Sequence, residues 1–230
     1  MTQTADGAEA RPPLGRERVL HAAIDLADQA GIEGLTMRRL GRELGVEAMT
    51  LYYHVANKDE ILNGMVDLVV GEFELPKPGP DWKAALRGAA ISAHQVLLRH
   101  PWAANLVLGS SGLSRARLRH MDAILGCLRS AGFSAEMTDH AYHALESHIM
   151  GFTLWVVAMD LGTDEDLRGL ASAVLEQLPR AELPHLVEHI EVHLRPSDPA
   201  DEGSFAFGLD LILDGLERLV PAAPLARQRD

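Results

Sequence analysis

The stretch LTMRRLGRELGVEAMTLYYHVANKDEIL, residues 35–62, decides the fold of the N-terminal part of the chain. Its apolar residues recur at the spacing that locks two short helices together across a turn, and a further helix begins at its end. Gly41 is small where the two helices approach, and Gly45 suits the left-handed conformation in which the chain leaves the earlier helix. Such a unit places its later helix in the major groove of DNA. The stretch therefore predicts a helix-turn-helix that binds DNA sequence-specifically.

Capping residues and glycines place the helices around this unit. An apolar stripe over 16–30 predicts a first helix that ends at Gly31. Thr36 is a suitable N-cap for the second helix, and Asn57 is a suitable N-cap for a fourth helix running towards Glu74. The N-terminal part is therefore expected to be a small helical domain.

The remainder of the chain repeats the helical period and has no strand pattern. Helices are predicted over 82–99, 114–131, 134–161 and 203–220, whereas the acidic, proline-interrupted segment 162–199 is expected to be a loop with one or two short helices. We therefore expect an all-α protein. Its predicted parts are a disordered arm over 1–13, a helix-turn-helix domain over 14–74, a linker over 75–81, a second helical domain over 82–220 and a frayed tail over 221–230.

Two of the C-terminal helices, over 134–161 and 203–220, are predicted to be apolar on two faces. A helix that is apolar all round is either central in its domain or shared with a partner subunit. On the former helix, mostly small residues that let a second helix approach line one face: Ala144, Ser147, Gly151, Leu154 and Ala158. On the latter, one stripe holds Phe205, Leu209, Ile212, Leu216 and Leu219, and another holds Phe207, Leu211 and Gly215.

The composition is that of a globular protein without a disulfide or a membrane span. Of the 230 residues, 47% are hydrophobic and 23% are charged. No apolar run approaches the roughly 20 residues of a membrane helix, and the first residues lack the apolar core of a signal peptide. Cys127 is the only cysteine, so an intrachain disulfide is impossible. We expect a cytoplasmic protein with no membrane partner.

The net charge of −12 does not favour a nucleic-acid partner, because phosphate contacts require a basic surface. The local balance differs from the total. Over 36–58 the cations outnumber the carboxylates by two: Arg38, Arg39, Arg42 and Lys58 stand against Glu43 and Glu47. A basic face on an acidic body is therefore compatible with DNA binding.

Taken together, these segments resemble the TetR family of bacterial repressors. GLTMRRLGRELGV (34–46) and EAMTLYYHVANKDEIL (47–62) are similar to the DNA-binding domain of that family. Four further segments resemble its tetracycline-repressor type of C-terminal domain: RHPWAANLVLG (99–109), LRSAGFS (128–134), GFTLWV (151–156) and FAFGLDLILDGLERL (205–219). The resemblance implies a homodimer on a palindromic operator, with a C-terminal domain that dimerises and binds a small effector. Effector binding would release the DNA.

The resemblance also implies which residues contact DNA. Arg38 matches a position that reaches a base edge, where a guanidinium suits guanine. Thr36, Thr50, Tyr52 and Lys58 match positions that contact phosphates. The recognition surface is expected to carry Glu47, Ala48, Met49, Tyr53 and His54; for Tyr52 and Tyr53, plain packing is the alternative.

One departure from the tetracycline repressors bears on the effector. In those proteins a histidine before the LG of the matching segment holds the magnesium ion of the drug, and Val107 occupies that position here. Other drug-contacting polar positions are Ala89, Ala93 and Ile124, which offer no ligand to a hard cation. We therefore expect a small, largely apolar effector, no cofactor and no resident metal. Residues expected to line its site, each with plain core as the alternative, are Trp102, Asn105, Met121, His148, Phe152 and Trp155.

Eleven histidines leave a different class of function open. His185, His189 and His193 recur every four residues, a spacing that can place two imidazoles on one metal. The same helix is expected to bury Leu183, Leu186, Val187, Ile190 and Leu194, which would leave the histidines on a solvated flank. The alternatives are thus a metal- or pH-responsive sensor, or an activator without a small-molecule ligand. No catalytic motif is present, so an enzyme is not expected.

Overall fold

The computed structural model describes residues 13–109, 114–159, 164–193 and 203–220, and this part of the chain is helical, without strands. The predicted all-α fold is therefore confirmed. The predicted arm, apart from Pro13, and the predicted tail lie outside the described residues. The helices are α1 (Arg16–Ala30), a short 3-10 helix (Ile32–Gly34), α2 (Met37–Leu44), α3 (Ala48–Leu51), α4 (Lys58–Gly71), α5 (Trp82–Arg99), α6 (Pro101–Gly109), α7 (Arg115–Ser130), α8 (Ala135–Met159), α9 (Asp164–Gln177), α10 (Pro184–His193) and α11 (Gly203–Glu217).

The first of two compact units comprises the described residues of Met1–Phe73 and Gln95–Asp122. Its core forms where α1 packs against α2 and α4. The apolar stripe of α1 predicted from the sequence is buried there, as are Leu40 of α2, Leu51 of α3 and Met65 of α4. Burial of one such side chain contributes about 1.5–3 kcal/mol. The helix-turn-helix thus rests on α1 and α4.

The second unit comprises the described residues of Glu74–His94 and Ala123–Asp230. Here α8 packs against α11, which buries Phe205, Leu209 and Leu213. None of the helices in the described residues is long and apolar enough to cross a membrane. The two units are groups of packed helices, and such groups do not test where one domain ends along the chain. The predicted domain boundary within 75–81 therefore stays a prediction.

Ion pairs fix the register of α11 on α5. Arg87 donates from Nε and Nη2 to the two carboxylate oxygens of Asp210, at 2.8 and 3.2 Å. Lys83 Nζ lies 2.6 Å from Asp214 and 2.7 Å from Glu217. The hydrogen bonds from Arg87 lower the pKa of Asp210, and those to Asp214 and Glu217 raise the pKa of Lys83. Such solvent-exposed pairs contribute little stability, so their effect is to orient the helices.

Several helix limits differ from the sequence-based expectation. The predicted helix 82–99 is confirmed as α5, but a further helix that was not predicted, α6, begins at Pro101, where a missing N–H costs nothing. The fourth helix ends at Gly71 and does not reach Glu74. The segment 162–199 contains two helices of 14 and 10 residues, α9 and α10, so it is more helical than expected.

The expected buried stripe of α10 was wrong in part. Val187 is buried and Ile190 is half-buried, but Leu183 and Leu186 are exposed. Leu194 lies outside the described residues. Leu219, placed in an apolar stripe of the helix predicted over 203–220, lies beyond the last residue of α11 and is exposed. An apolar stripe in a sequence predicts that a helix face is apolar; it does not say whether the same chain covers that face.

Two buried threonines on α8 differ in their hydrogen bonding. Thr138 is 3% exposed, and its hydroxyl has no hydrogen-bond partner among the described residues. The hydroxyl of Thr153 donates to the Ile149 carbonyl at 2.6 Å and lies 2.8 Å from His94 Nδ1. A buried hydroxyl without a partner costs free energy, whereas a satisfied one does not.

We predict that Thr138→Val raises the free energy of unfolding by about 1 kcal/mol, because valine keeps the shape and removes the unsatisfied hydroxyl. Thr153→Val is the matched control on the same helix, and it should lower the free energy of unfolding by about 1–3 kcal/mol. Urea denaturation followed by circular dichroism measures both. Equal effects of the two substitutions would contradict this account of Thr138.

Candidate DNA interface and effector site

A close backbone approach at Gly41 sets the angle between α2 and α3. A Cβ atom at Gly41 would lie 2.8 Å from the Val46 carbonyl oxygen and 3.2 Å from the Ala48 nitrogen. The turn between the helices begins at Gly45, whose φ of 71° is left-handed. Val46 N–H then donates to the Gly41 carbonyl at 2.8 Å. Both glycine positions predicted from the sequence are therefore confirmed.

Side-chain caps fix the start of α2 and of α4. Thr36 Oγ1 accepts from Arg39 N–H at 3.2 Å, and Asn57 Oδ1 accepts from Glu60 N–H at 2.8 Å. Glu60 in turn accepts from the N–H of Ala56, the residue before this cap, at 2.7 Å. This backbone hydrogen bond, with Arg16 at 3.2 Å, lowers the pKa of Glu60. The Arg16 contact also ties the start of α4 to α1.

The segment 47–54 has a face whose large side chains are exposed to solvent. Leu51 and Val55 are buried in the first unit, whereas Met49 is 72% and Tyr53 is 87% exposed. Tyr52 is exposed as well. Large apolar and aromatic side chains left open in this way mark a contact surface. The regular helix α3 is only Ala48–Leu51, and the turn that follows it carries Tyr52, Tyr53 and His54.

The other predicted DNA-contacting residues lie in the segment 47–54 or at the starts of α2 and α4. Thr36 and Arg38 are exposed at the start of α2, and Lys58 is the exposed first residue of α4. Glu47 is exposed at the N-cap position of α3; Ala48, Thr50 and His54 are half-buried. Two further exposed arginines of α2, Arg39 and Arg42, were left out of the predicted set, although both stand in the same motif.

A polar network joins α1 and α4 to the junction between α5 and α6. Asp28 of α1 accepts from Trp102 Nε1 at 2.6 Å and from His100 Nδ1 at 2.9 Å. Glu72, next to α4, accepts from Arg99 Nη2 at 2.7 Å and lies 3.6 Å from His100 Nε2. No sequence pattern pointed to this network, since its members are far apart in the chain. It makes the first residues of α6 part of the support of the helix-turn-helix.

An aromatic and imidazole cluster lies in the second unit. The ring of His94 stacks on Phe205, with centroids 3.9 Å apart and planes 8° apart. His148 stacks on the same Phe205 ring at 5.0 Å, and Phe152 contacts it edge-on at 5.6 Å. Phe152 also meets Trp155, which is 56% exposed, at 5.7 Å. Burial and the nearby His148 lower the pKa of His94 to about 4.

This cluster contains three of the six residues expected to contact an effector, His148, Phe152 and Trp155. The other three belong to the first unit: Trp102 is buried and hydrogen-bonded to Asp28, whereas Asn105 and Met121 are exposed. The predicted effector contacts thus fall into two groups, and all six stay predictions. His94, the imidazole that stacks more closely on Phe205, was missed because its partners lie on other helices.

The apolar positions that argued against a magnesium-bound drug are buried, namely Ala89, Ala93, Val107 and Ile124. Within the described ranges, no three His, Cys, Asp or Glu side chains lie together as a metal site requires. His185 and His189 are exposed on α10, and the side chain of His193 lies outside the described residues. Cys127 is buried, and burial raises the pKa of its thiol.

Known families account for nearly the whole chain. Residues 19–65 match the family of "bacterial regulatory proteins, tetR family", and residues 75–220 match the "tetracyclin repressor-like, C-terminal domain". The chain belongs to the TetR family. It is therefore a DNA-binding transcriptional regulator and not an enzyme.

Individual relatives agree with the family match. The HTH-type transcriptional repressor DrrR1 of Streptomyces coeruleorubidus is 33% identical over 222 residues, which cover 91% of this chain and 80% of DrrR1. Crystallised ActR of Streptomyces coelicolor in complex with actinorhodin is 26% identical, with a TM-score of 0.74 over 92% of this chain and all of ActR. BioQ with its double-stranded DNA operator is 26% identical, with a TM-score of 0.61 over 90% of this chain and 99% of BioQ.

We predict that Gly41→Ala lowers the free energy of unfolding by about 1–3 kcal/mol, because the added Cβ meets backbone atoms that cannot turn away. Gly71→Ala is the matched control in the same unit. A Cβ at Gly71 meets nothing within 4 Å, so alanine should stabilise α4 by about 0.5–1 kcal/mol. Chemical denaturation measures both variants, and a neutral Gly41→Ala would contradict the close approach.

We predict that the free energy of unfolding falls as the pH drops from about 6.5 to about 4. His94 has a pKa near 4 in the folded protein against 6.5 ordinarily, so in this window the unfolded chain binds the proton and folding loses stability. The slope should stay below about 1.4 kcal/mol per pH unit, the limit for one proton, since His94 is only half-buried. His94→Phe should flatten the profile in urea titrations; an unchanged slope would contradict the assignment.

Proposed function

We propose that this regulator is a homodimeric repressor that holds a palindromic operator and releases it when a small, largely apolar ligand binds. The DNA-binding part of this proposal is supported by the solvent-exposed face of 47–54, where Met49 and Tyr53 are exposed beside the buried Leu51. DrrR1 is named as a repressor, BioQ was crystallised with a DNA operator and ActR with actinorhodin, which supports both halves of the proposal. The site of action would be the cytoplasm, where operator DNA lies.

Each proposed DNA contact follows from side-chain chemistry. Arg38, exposed on the first turn of α2, would read a guanine through its guanidinium. Met49 and Ala48 would meet a thymine methyl, and Glu47 would accept from cytosine. Lys58 would contact a phosphate at the N-terminus of α4, where the helix dipole adds to its charge. Thr36, Thr50, Tyr52, Tyr53 and His54 would complete the surface.

A second copy of the chain is proposed to cover the exposed faces of α8 and α11. On α8 the small residues Ala144, Ser147, Gly151 and Ala158 are exposed around Trp155. On α11, Phe207 is 68% exposed and Leu211 is also open. Exposed large apolar side chains on packed helices are typical of a subunit interface. Small residues on α8 allow the close helix approach that such an interface needs.

We predict that Arg38→Ala weakens binding to an operator chosen from randomised DNA by about 1–3 kcal/mol and relaxes its sequence preference. Lys58→Ala should weaken binding about equally for all sequences and reduce the salt dependence, since it removes a phosphate contact. Gel-shift titrations at several salt concentrations distinguish the two effects. Arg218→Ala, an exposed arginine after α11, is the control expected to bind as wild type.

The DNA-binding proposal would be overturned if wild type selected no operator from randomised DNA. The ligand half is tested separately, by adding candidate ligands to the preformed complex. A protein that binds its operator but is released by no small molecule would instead match the activator or ligand-free alternative.

We predict that Leu211→Glu converts the dimer to monomer, because a buried carboxylate in the proposed interface would be desolvated without a partner. Sedimentation velocity measures the mass in solution. Leu118→Glu, at an exposed leucine of α7 in the first unit, is the control and should leave the dimer intact. A wild-type monomer at micromolar concentration would rule out the proposed interface.

A further inference from the structure

The hydrogen bonds of Thr153 fix the proton of His94. A threonine hydroxyl has one proton, and that of Thr153 is donated to the Ile149 carbonyl at 2.6 Å. Thr153 Oγ1 must therefore accept in its contact with His94 Nδ1, 2.8 Å away. His94 thus carries its proton on Nδ1. Because the pKa of His94 is lowered to about 4, the ring is neutral near pH 7, and its Nε2 carries a lone pair that no donor among the described residues meets.

The proton of His148 is fixed by a different partner. Its Nε2 lies 2.9 Å from the Phe205 carbonyl oxygen, which can only accept, so Nε2 carries a proton. The ring rests on the backbone of α11: a Cβ at Gly208 would lie 2.6 Å from His148 Cε1. Glycine at 208 therefore permits this ring position. When this ring carries one proton, Nδ1 is an acceptor beside Phe205 that no donor in the described part of the chain meets.

Aromatic rings surround the two imidazoles, and these rings differ in their exposure to solvent. Phe205 is buried, Phe152 is half-buried and Trp155 is largely exposed, and each ring contacts the next. Aromatic faces and edges of this kind suit a planar aromatic ligand. Two acceptor nitrogens would repel an anion, and a half-buried position would cost a cation its hydration. A neutral ligand with hydrogen-bond donors satisfies both conditions.

We propose that His94 and His148 form an acceptor pair that selects an uncharged aromatic effector bearing hydroxyl donors, an inference that rests on the ligand-released repressor proposed above. His94 is then a specificity-determining residue for the effector, and Thr153 is the positioning residue that keeps its Nε2 free of a proton. A site with fixed acceptors discriminates against an analogue that lacks the donor, because the acceptor then loses its hydrogen bond.

The test compares two probes with the same ring system and substitution pattern, 2,6-dihydroxynaphthalene and 2,6-dimethoxynaphthalene, which are both uncharged near neutral pH. Equilibrium dialysis with the full-length protein, without DNA, measures their affinities. Wild type should bind the dihydroxy probe about tenfold more tightly than the dimethoxy probe, the effect of one satisfied hydrogen bond. In His94→Phe the stacking ring remains while the acceptor is lost, so this ratio should fall towards one.

Two further variants make the result specific. Thr153→Val keeps His94 but frees its tautomer, so the ratio should fall in part; this variant also serves if His94→Phe does not fold. His143→Phe, an exposed histidine of the same helix, is the matched control and should keep the wild-type ratio. An unchanged ratio in His94→Phe, or in Thr153→Val where the former does not fold, would overturn the inference.

Equal or undetectable binding of both probes by wild type would also overturn the inference. Operator binding is measured in parallel by gel shift, which keeps the two proposals apart. Loss of operator binding with an intact probe ratio would count against the repressor function alone. An intact operator complex with a ratio near one would count against the acceptor pair alone.

Discussion

The contact on which the DNA-binding half of the molecule depends is the approach of the α3 backbone to Gly41. A Cβ atom at position 41 would lie only 2.8 Å from the Val46 carbonyl oxygen, which leaves no room for a side chain. Backbone atoms alone therefore set the distance between α2 and α3. Leu40 and Leu51 can then be buried together, and the side chains between Glu47 and His54 that cannot join the core are left outside. The same approach that closes the core therefore leaves the side chains of 47–54 exposed, and the side-chain caps Thr36 and Asn57 fix the starts of the flanking helices α2 and α4.

Features that depend on neighbouring residues were predictable from the sequence. The caps Thr36 and Asn57, the turn at Gly45 and the limits of α1 and α5 are local, because a cap or a left-handed residue is decided within about four positions. Met49 and Tyr53, two of the residues expected on the DNA-contacting surface, are exposed, while their contact with DNA stays a prediction. The helix α6 was not predicted, because proline both breaks the interior of a helix and is favoured at its first position, so Pro101 alone does not indicate that a new helix begins there.

Features that depend on distant partners were not predictable. His94 stands in an ordinary helical stretch, and its importance comes from Phe205 and Thr153 on two other helices. The Asp28 network joins residues more than 70 positions apart. For Leu183 and Leu186 the sequence pattern predicted burial, but both side chains are exposed. The pattern identifies an apolar face, and it does not identify the surface that would have to cover that face. Periodicity identifies faces, and tertiary contacts assign their partners.

Within the second unit, the proposed effector contacts and the proposed dimer surface share α11. The ring of Phe205 on this helix stacks on His94, and the Phe205 carbonyl accepts from His148. Ion pairs with Arg87 and Lys83 of α5 hold the acidic residues of the same helix: Asp210, Asp214 and Glu217. The exposed face carries Phe207 and Leu211, so neighbouring residues of one helix serve both purposes. A ligand that changes the His148–Phe205 bond would act on the backbone of the helix proposed to meet the second copy. An effector can shift a dimer between two arrangements of its subunits only if it binds one arrangement more tightly than the other. The difference in affinity would arise at α11, because this helix is proposed to contact both the effector and the second copy.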